Sequence, residues 1–404
     1  MRLAWCKRRP DPARAELTAD RRLKGLTFTL VVTGYINIYL PQPVLPVLQA
    51  EFGLTPGQAS LAVSLFILGF GLGNLPLGWL ADRLAPRPLL IGGGLLLALG
   101  GLGCALAPGF AALAAARLVQ GLALPAVTTC LAAHLSRSLP MARLNRVMAA
   151  YVAATVAGGM LGRLFGGWIF PAGLWRWSFV LAAMLVGLAV AAALVWLPPA
   201  GPPPAQAEPR HGFLDLLRRP EIRRIYGIIG LAFSVFAAVF NYLPFLLAGP
   251  PFLASTRVIA LMYLSYLVGM VAAPLGGRAA DRWGAGATIS AGAGVLAASL
   301  GLSLWLNYAA VFLAMAGVCL GFFAVHAAAA GALNRHLRHS QGRGNSLYVL
   351  CYYLGGTAGI SLGGYLWGHW GWPGVVGMGL TVLAAPVWLG LAEHRGRQKP
   401  DEQG

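Results

Sequence analysis

Acidic residues are scarce in this chain of 404 residues, where 12 Asp and Glu stand against 30 Lys and Arg. None of those acids lies in the middle of a long apolar run, so the chain offers no paired carboxylates for acid–base work and no Ser, His and Asp set that could meet. A phosphate-cradling Gly-x-x-x-x-Gly-Lys-Ser/Thr loop is missing as well, which excludes ATP hydrolysis by this chain. Cysteine is sparse and odd in number: Cys6, Cys104, Cys130, Cys319 and Cys351 lack paired metal-ligand spacing. They support neither a disulfide framework nor a zinc site, and read as small apolar filler. Lysine occurs only at positions 7, 24 and 399, and this arginine bias, with rich Ala, Gly and Leu, has the composition of a GC-rich bacterial genome.

What is abundant is apolar: 58% of residues are hydrophobic and only 10% are charged, outside the range of soluble domains. A hydrocarbon layer about 30 Å thick needs about 20 apolar residues per helical crossing. Runs of that length fall at 25–48, 58–81, 88–107, 111–133, 145–170 and 177–197, and again at 224–248, 256–280, 287–306, 309–333, 345–368 and 373–392. The fold class is therefore an all-α membrane protein with twelve transmembrane helices in two six-helix bundles. The organisation reads as a basic tail (1–24), an N-terminal bundle (25–197), a linker (198–223), a C-terminal bundle (224–392) and a second tail (393–404). The linker carries Pro198, Pro199, Pro202, Pro203 and Pro204 and cannot sit in lipid. The first run follows Arg21, Arg22 and Lys24 as a signal peptide would. It is too long for one and lacks a small-residue cleavage site, so it reads as an uncleaved span.

Charge gives orientation. All but four of the 30 Lys and Arg fall in the tails and in alternate loops on one side, so the positive-inside rule makes both termini cytoplasmic. Arg176 and Arg257 lie on the other side, and Arg117 and Arg163 lie within spans. The excess of positive charge is thus topological, and nucleic acid is not a partner. Trp168, Trp175, Trp177, Trp305, Trp370 and Trp372 gather at the outer ends of spans, where indoles anchor at the interface.

An internal repeat recurs at an offset of about 200 residues. The loop after span two holds Gly78, Asp82, Arg83 and Arg87, and the loop after span eight echoes it with Gly277, Asp281 and Arg282. Span five carries Gly158, Gly159, Gly162, Gly166 and Gly167, and span eleven carries Gly355, Gly356, Gly359, Gly363 and Gly364 at the same spacing. Two six-span halves related in this way create a midplane interface at which substrate binds while the halves rock. Gly78 lets the cytoplasmic ends of two helices approach, and Asp82 can accept charge-assisted hydrogen bonds, forming a latch that biases the equilibrium without touching substrate. The glycines permit close helix packing, or else form a flexing seam between the halves.

Ionisable groups inside spans are functional candidates by default, and three qualify: Arg117, Arg163 and His326. Without a buried acid to neutralise the arginines, a cavity lined by them favours a neutral or anionic solute over a cation. His326 is the one plausible proton carrier. Asn37, Tyr39, Gln42, Gln120, Asn241, Tyr242, Tyr348 and Tyr352 supply polar and aromatic groups near the midplane. Pro41, Pro43 and Pro244 are expected to break helices beside Gln42 and Asn241.

With these residues in view the chain resembles the Major Facilitator Superfamily, and within it the twelve-span drug and sugar efflux branch of proton antiporters. Gly78 to Arg83 is similar to that superfamily's cytoplasmic loop motif. Arg117, Gln120 and Gly121 look like its span-four motif, and Leu40 through Pro46 with Phe52 look like the branch's first-span signature. Ala85 and Pro86 depart from the loop motif, and Arg163 stands where the fifth-span motif usually has Pro. The resemblance implies proton-coupled efflux of a small organic solute, powered by the proton gradient with no cofactor, by a monomer surrounded by lipid in a bacterial inner membrane. Uptake of an organic anion, or a sensor or lipid-handling protein that keeps the fold without a transport cycle, are the alternatives. Asp82→Asn should leave the protein inserted and folded but slow transport strongly, with Asp281→Asn milder; unchanged transport by Asp82→Asn at matched membrane abundance removes the latch.

Overall fold

The computed structural model describes residues 12–170, 172–197, 212–337 and 341–397. Among them only helices occur. The N-terminal half contains span one (Arg21–Phe52), two (Pro56–Ala81), three (Pro86–Ala105), four (Phe110–Ser138), five (Arg146–Ile169) and six (Ala172–Trp196). The C-terminal half contains span seven (Pro220–Ala248), eight (Thr256–Trp283), nine (Ala285–Leu302) and ten (Tyr308–His336), then one apolar stretch, Arg343–Leu391. That last stretch is two spans. Gly371 at φ +59° and ψ −144° turns the chain out of the helix, a conformation that costs a residue without Cβ little. Spans eleven (343–370) and twelve (372–391) complete the set, and the number expected from hydropathy stands.

Helix extends into both tails, from Pro12 at one end and to Arg397 at the other. Helix begins at Pro12, well before position 25, and continues to Tyr39. Of the linker, residues 198–211 lie outside the described residues; a short helix, Phe213–Arg218, follows, and span seven starts at Pro220. Pro41 and Pro43 do interrupt span one, which passes through a 3-10 turn, Gln42–Val44, before resuming as Leu45–Phe52. Pro244 does not interrupt span seven, whose helix runs unbroken from Pro220 to Ala248.

The two halves pack by the same plan. Span one lies against five, two against four, and three against four and six; span seven lies against eleven, eight against ten, and nine against ten and twelve. Glycines set the first pair in each half. A Cβ on Gly162 would sit 2.3 Å from the carbonyl oxygen of Ile36, and one on Gly359 would sit 2.0 Å from that of Ser234. Gly158 and Gly166 meet the backbone of span one, and Gly355 that of span seven, in the same fashion, while Gly363 meets the side chains of Tyr242 and Ala238. Gly121 seats span four on the backbone of Phe66. With lipid outside as apolar as any side chain, close backbone approach supplies the dispersion contact that holds such helices together. These glycines therefore work inside each half. Gly78 and Gly277 do not share the role: the nearest atom to a Cβ on Gly78 is 3.8 Å away, and a Cβ on Gly277 meets nothing within 4 Å.

Tryptophans divide into two groups. Trp168, Trp177, Trp305 and Trp370 are exposed, as interface anchors are, whereas Trp175 and Trp372 are buried. A buried indole needs an acceptor. Trp175 donates to Glu51 at 2.6 Å, and Trp372 donates to Ser303 at 3.0 Å, which pins the start of spans six and twelve to their own bundles.

Overpacking a tight helix crossing costs about 1–3 kcal/mol or more. Gly162→Ala and Gly359→Ala should each lower the melting temperature of the detergent-purified protein clearly, while Gly294→Ala, where a Cβ meets open space, should leave it unchanged or raise it. Equal melting temperatures for all three would remove the backbone contacts as the source of bundle stability.

Candidate functional site: the seam between the halves

Two arginines that look alike in sequence occupy different places. Arg117 is fully buried inside the N-terminal half. Its Nη1 donates to the carbonyl of Asn37 at 2.7 Å and to Gln120 Oε1 at 2.7 Å, Nη2 donates to the carbonyl of Ile38 at 2.7 Å, and Nε donates to that of Ala62 at 2.6 Å. The reason is local. Residue 41 is proline and has no N–H, so the carbonyl of Asn37, four residues earlier, has no helical donor, and the guanidinium replaces it. Gln120 completes the knot by donating to Asn37 Oδ1 and to the carbonyl of Leu97, both at 3.2 Å. The side chains of Asn37, Arg117 and Gln120 are thus bonded among spans one to four.

Arg163 sits instead on the boundary between the halves, 1% exposed. Nη1 donates to the carbonyl of Gly159 and Nε to Gln42 Oε1, both at 2.7 Å within the N-terminal half. Nη2 crosses to the C-terminal half and donates to the hydroxyl of Tyr266 at 2.7 Å. The guanidinium carbon lies 3.7 Å from the ring centre of Tyr39 and 4.2 Å from that of Tyr266, so one ring from each half flanks the charge. Two irregular turns bring this about. The 3-10 turn after Pro41 places Gln42, and a second 3-10 turn, Tyr263–Ser265, interrupts span eight just before Tyr266. Span five itself ends in a π-helical turn, Phe165–Ile169, in which Gly167 presses on Thr256 and Ala260 of span eight. Beside these contacts lies a depression of about 690 Å³ shared by the halves and lined by Pro46, Val47 and Ala50 on one side and Ser255, Thr256 and Ile259 on the other.

From Tyr266 an aromatic wall runs through the C-terminal half. Tyr266 packs on Phe236, Phe236 stacks on Phe322 at 4.1 Å, and Phe322 stacks on His326 at 6.0 Å. His326 Nδ1 lies 3.1 Å from the hydroxyl of Tyr348, and its ring meets Tyr352 edge-on at 5.6 Å. Tyr352 stacks on Phe233, and Phe233 packs against Tyr353. Tyr353 reaches across to Phe70 of span two at 4.6 Å, and Phe70 packs on Tyr35 of span one. Spans two and eleven are further joined by Thr357 donating to the carbonyl of Ser64 at 3.5 Å.

The structure therefore brings Tyr39, Gln42 and Arg163 together at the seam, and gathers His326, Tyr348 and Tyr352 as a separate cluster along the aromatic wall of the C-terminal half. Tyr242 instead donates to the carbonyl of Ile360 and stacks on Trp367, bracing spans seven and eleven. Asn241 is wholly buried, and neither of its amide atoms has a hydrogen-bond partner among the described residues. Tyr266 and the phenylalanines of span seven were not singled out in the sequence; the helical spacing of Phe233, Phe236 and Phe240 was the available signal.

Arg83, Arg87 and Arg137 beside the first repeated loop, and Asp281 in the second, bond within their own halves. The side chain of Asp82 lies outside the described residues. Arg137 at the end of span four donates to the carbonyls of Ala81 and, at 3.2 Å, Leu84, and so caps the end of span two. Arg87 donates to the carbonyl of Leu194 at 2.5 Å, and Arg83 covers the ring of Trp79. In the second half Arg335, at the position corresponding to Arg137, pairs with Asp281 at 3.9 Å. That pair is open to solvent and worth little by itself.

The sequence profile of the Major Facilitator Superfamily matches residues 27–256 and 251–404. The chain is 28% identical over 374 residues to the inner membrane transport protein YnfM of Escherichia coli K12, a match covering 91% of this chain and 89% of that protein. Its fold is similar to that of a bacterial homolog of the human lysosomal transporter Spinster, solved in an inward-facing and unoccupied conformation, with a TM-score of 0.69, 15% identity, and coverage of 94% of this chain and 95% of that one. It is also similar to the human organic anion transporter MFSD10 (TETRAN), with a TM-score of 0.67, 17% identity, and coverage of 92% and 99%.

The two arginines predict different phenotypes. Arg117→Lys replaces a fork with a point charge that cannot reach three carbonyls, and it should lose about 3 kcal/mol or more of stability, read as a large fall in melting temperature. Tyr266→Phe removes one charged hydrogen bond between halves, worth about 1.5–3 kcal/mol, and should raise maleimide labelling of a cysteine at buried Ile259 about tenfold with little thermal penalty. Equal thermal losses and unchanged labelling would make both arginines packing elements.

Proposed function

Since this chain belongs to the Major Facilitator Superfamily of membrane transporters, we propose that it exports a small neutral or anionic organic solute by alternating access, coupled to proton entry. In this reading the arginine-rich face, with both termini, is cytoplasmic in a bacterial inner membrane. The observation that carries the proposal is Arg163: a cation buried on the seam, flanked by rings from both halves, with no carboxylate beside it among the described residues. Rocking of the halves requires contacts that break in one state and re-form in the other. When the far face opens, Arg163 parts from Tyr266 and turns its charge toward the cleft. An anionic or hydrogen-bonding solute then replaces the lost partner, whereas a cation is repelled. The human neighbour named as an organic anion transporter accords with an anionic cargo on this fold.

His326 carries the proton in this scheme. It is half-buried at the other end of the aromatic wall, and imidazole is the side chain whose ordinary titration lies closest to neutral pH. Its partner Tyr348 can donate to the neutral ring or accept from the cationic one, so the bond survives the change of charge.

Inverted vesicles with an imposed pH gradient test the reading. The wild type should accumulate an organic anion in them, and His326→Gln should lose uphill accumulation while keeping downhill exchange of preloaded substrate. Accumulation only in right-side-out vesicles would reverse the direction to uptake. Undiminished uphill transport by His326→Gln would leave the histidine as a packing residue.

A further inference from the structure

Away from the seam, a trough of about 570 Å³ runs along the outer surface of the C-terminal half between spans eight, nine and ten. Its floor is made of small residues because the three helices touch through glycine: a Cβ on Gly276 would sit 2.7 Å from the Cα of Ala324, and one on Gly292 would sit 2.8 Å from the carbonyl oxygen of Gly321. Its rims are the exposed apolar side chains Leu275, Val295 and Leu320. At its mouth stand Arg278, Arg282 and Trp283, all exposed, on the arginine-rich face. Arg282 lies 5.8 Å from the ring centre of Trp283, and neither arginine forms an ion pair among the described residues, since Asp281 between them turns to Arg335.

We infer that this trough is a specific seat for one anionic glycerophospholipid, with an acyl chain in the groove and the phosphate at Arg278 and Arg282. Three features fit that occupant. From Arg282 to Ala272 the helix advances ten residues, about 15 Å at 1.5 Å per residue, which is the depth of one leaflet of a hydrocarbon layer about 30 Å thick. The groove is apolar along that length and cationic only at the headgroup level, the reverse of what a soluble anion would need. Trp283 stands at that same level, where an indole prefers to sit. The two arginines distinguish an anionic headgroup from a zwitterionic one: basic side chains at the membrane surface contribute about 1 kcal/mol each toward anionic lipid. Two of them correspond to a preference on the order of 30-fold.

Native mass spectrometry of the full-length protein in detergent, titrated with phosphatidylglycerol or phosphatidylcholine of matched chains, tests the seat without reference to transport, so its failure and that of the export reading are separable. The wild type should retain one phosphatidylglycerol with the stated preference. Arg278→Gln with Arg282→Gln should abolish the preference, and Ala291→Trp, which fills the trough from its exposed wall, should abolish retention while leaving both arginines in place. Glycerophosphoglycerol without acyl chains should fail to compete. Equal retention of both lipids by the wild type, preference surviving the double substitution, retention surviving Ala291→Trp, or competition by the chainless headgroup would each overturn the inference.

Discussion

A backbone carbonyl without a donor costs several kcal/mol in hydrocarbon, and span one contains three prolines, of which Pro41 and Pro43 interrupt its helix and free such carbonyls. The fold answers with a side chain. Arg117 supplies the hydrogen bond that Pro41 cannot give to Asn37 and binds Ile38 and Ala62 with its remaining nitrogens. Because the break in span one is held open in this way, Gln42 can occupy a turn rather than a helix, and Gln42 in turn positions Arg163. The contact between the halves is therefore built on a defect in the helix beneath it.

Everything else in the packing is economical in kind. Each half uses one stripe of glycines to bring two helices to backbone contact and one buried tryptophan to pin its last span. Each also sets one arginine at the end of the fourth helix against the end of the second: Arg137 caps it, and Arg335 makes only a solvent-exposed pair there. These contacts are short and local to a bundle, so each half can move as a body. The seam, by contrast, is made largely of rings, with one charged hydrogen bond, Arg163 to Tyr266, a weaker one from Thr357 to the carbonyl of Ser64, and glycine contacts at Gly167 and Gly364. Such a surface can part and re-form without leaving a backbone group unpaired.

Much of this was legible in advance. Twelve spans, the two halves and the pairing of glycine stripes follow from hydropathy and from spacing, which depend on neighbours a few residues apart. Asp281 and the glycine-rich spans were found by their echo at a fixed offset. The misreadings are equally instructive. Pro244 looked like a breaker, yet span seven, packed nearly all round, stays helical through it. Trp175 and Trp372 looked like interface anchors because their neighbours Trp177 and Trp370 are; only an acceptor on another helix, Glu51 or Ser303, separates the buried pair from the exposed one.

The sequence by itself determined that this is a twelve-span membrane protein of two related halves, with two intramembrane arginines and no acid to neutralise them. Which arginine serves the bundle and which serves the seam was decided by tertiary structure. Arg117 finds its carbonyl partner 80 residues earlier on span one, and Arg163 finds its hydroxyl partner 103 residues later on span eight. A guanidinium in a span must bond to something, and propensity and hydropathy record only that it is there; what it bonds to depends on which helices the fold lays beside it.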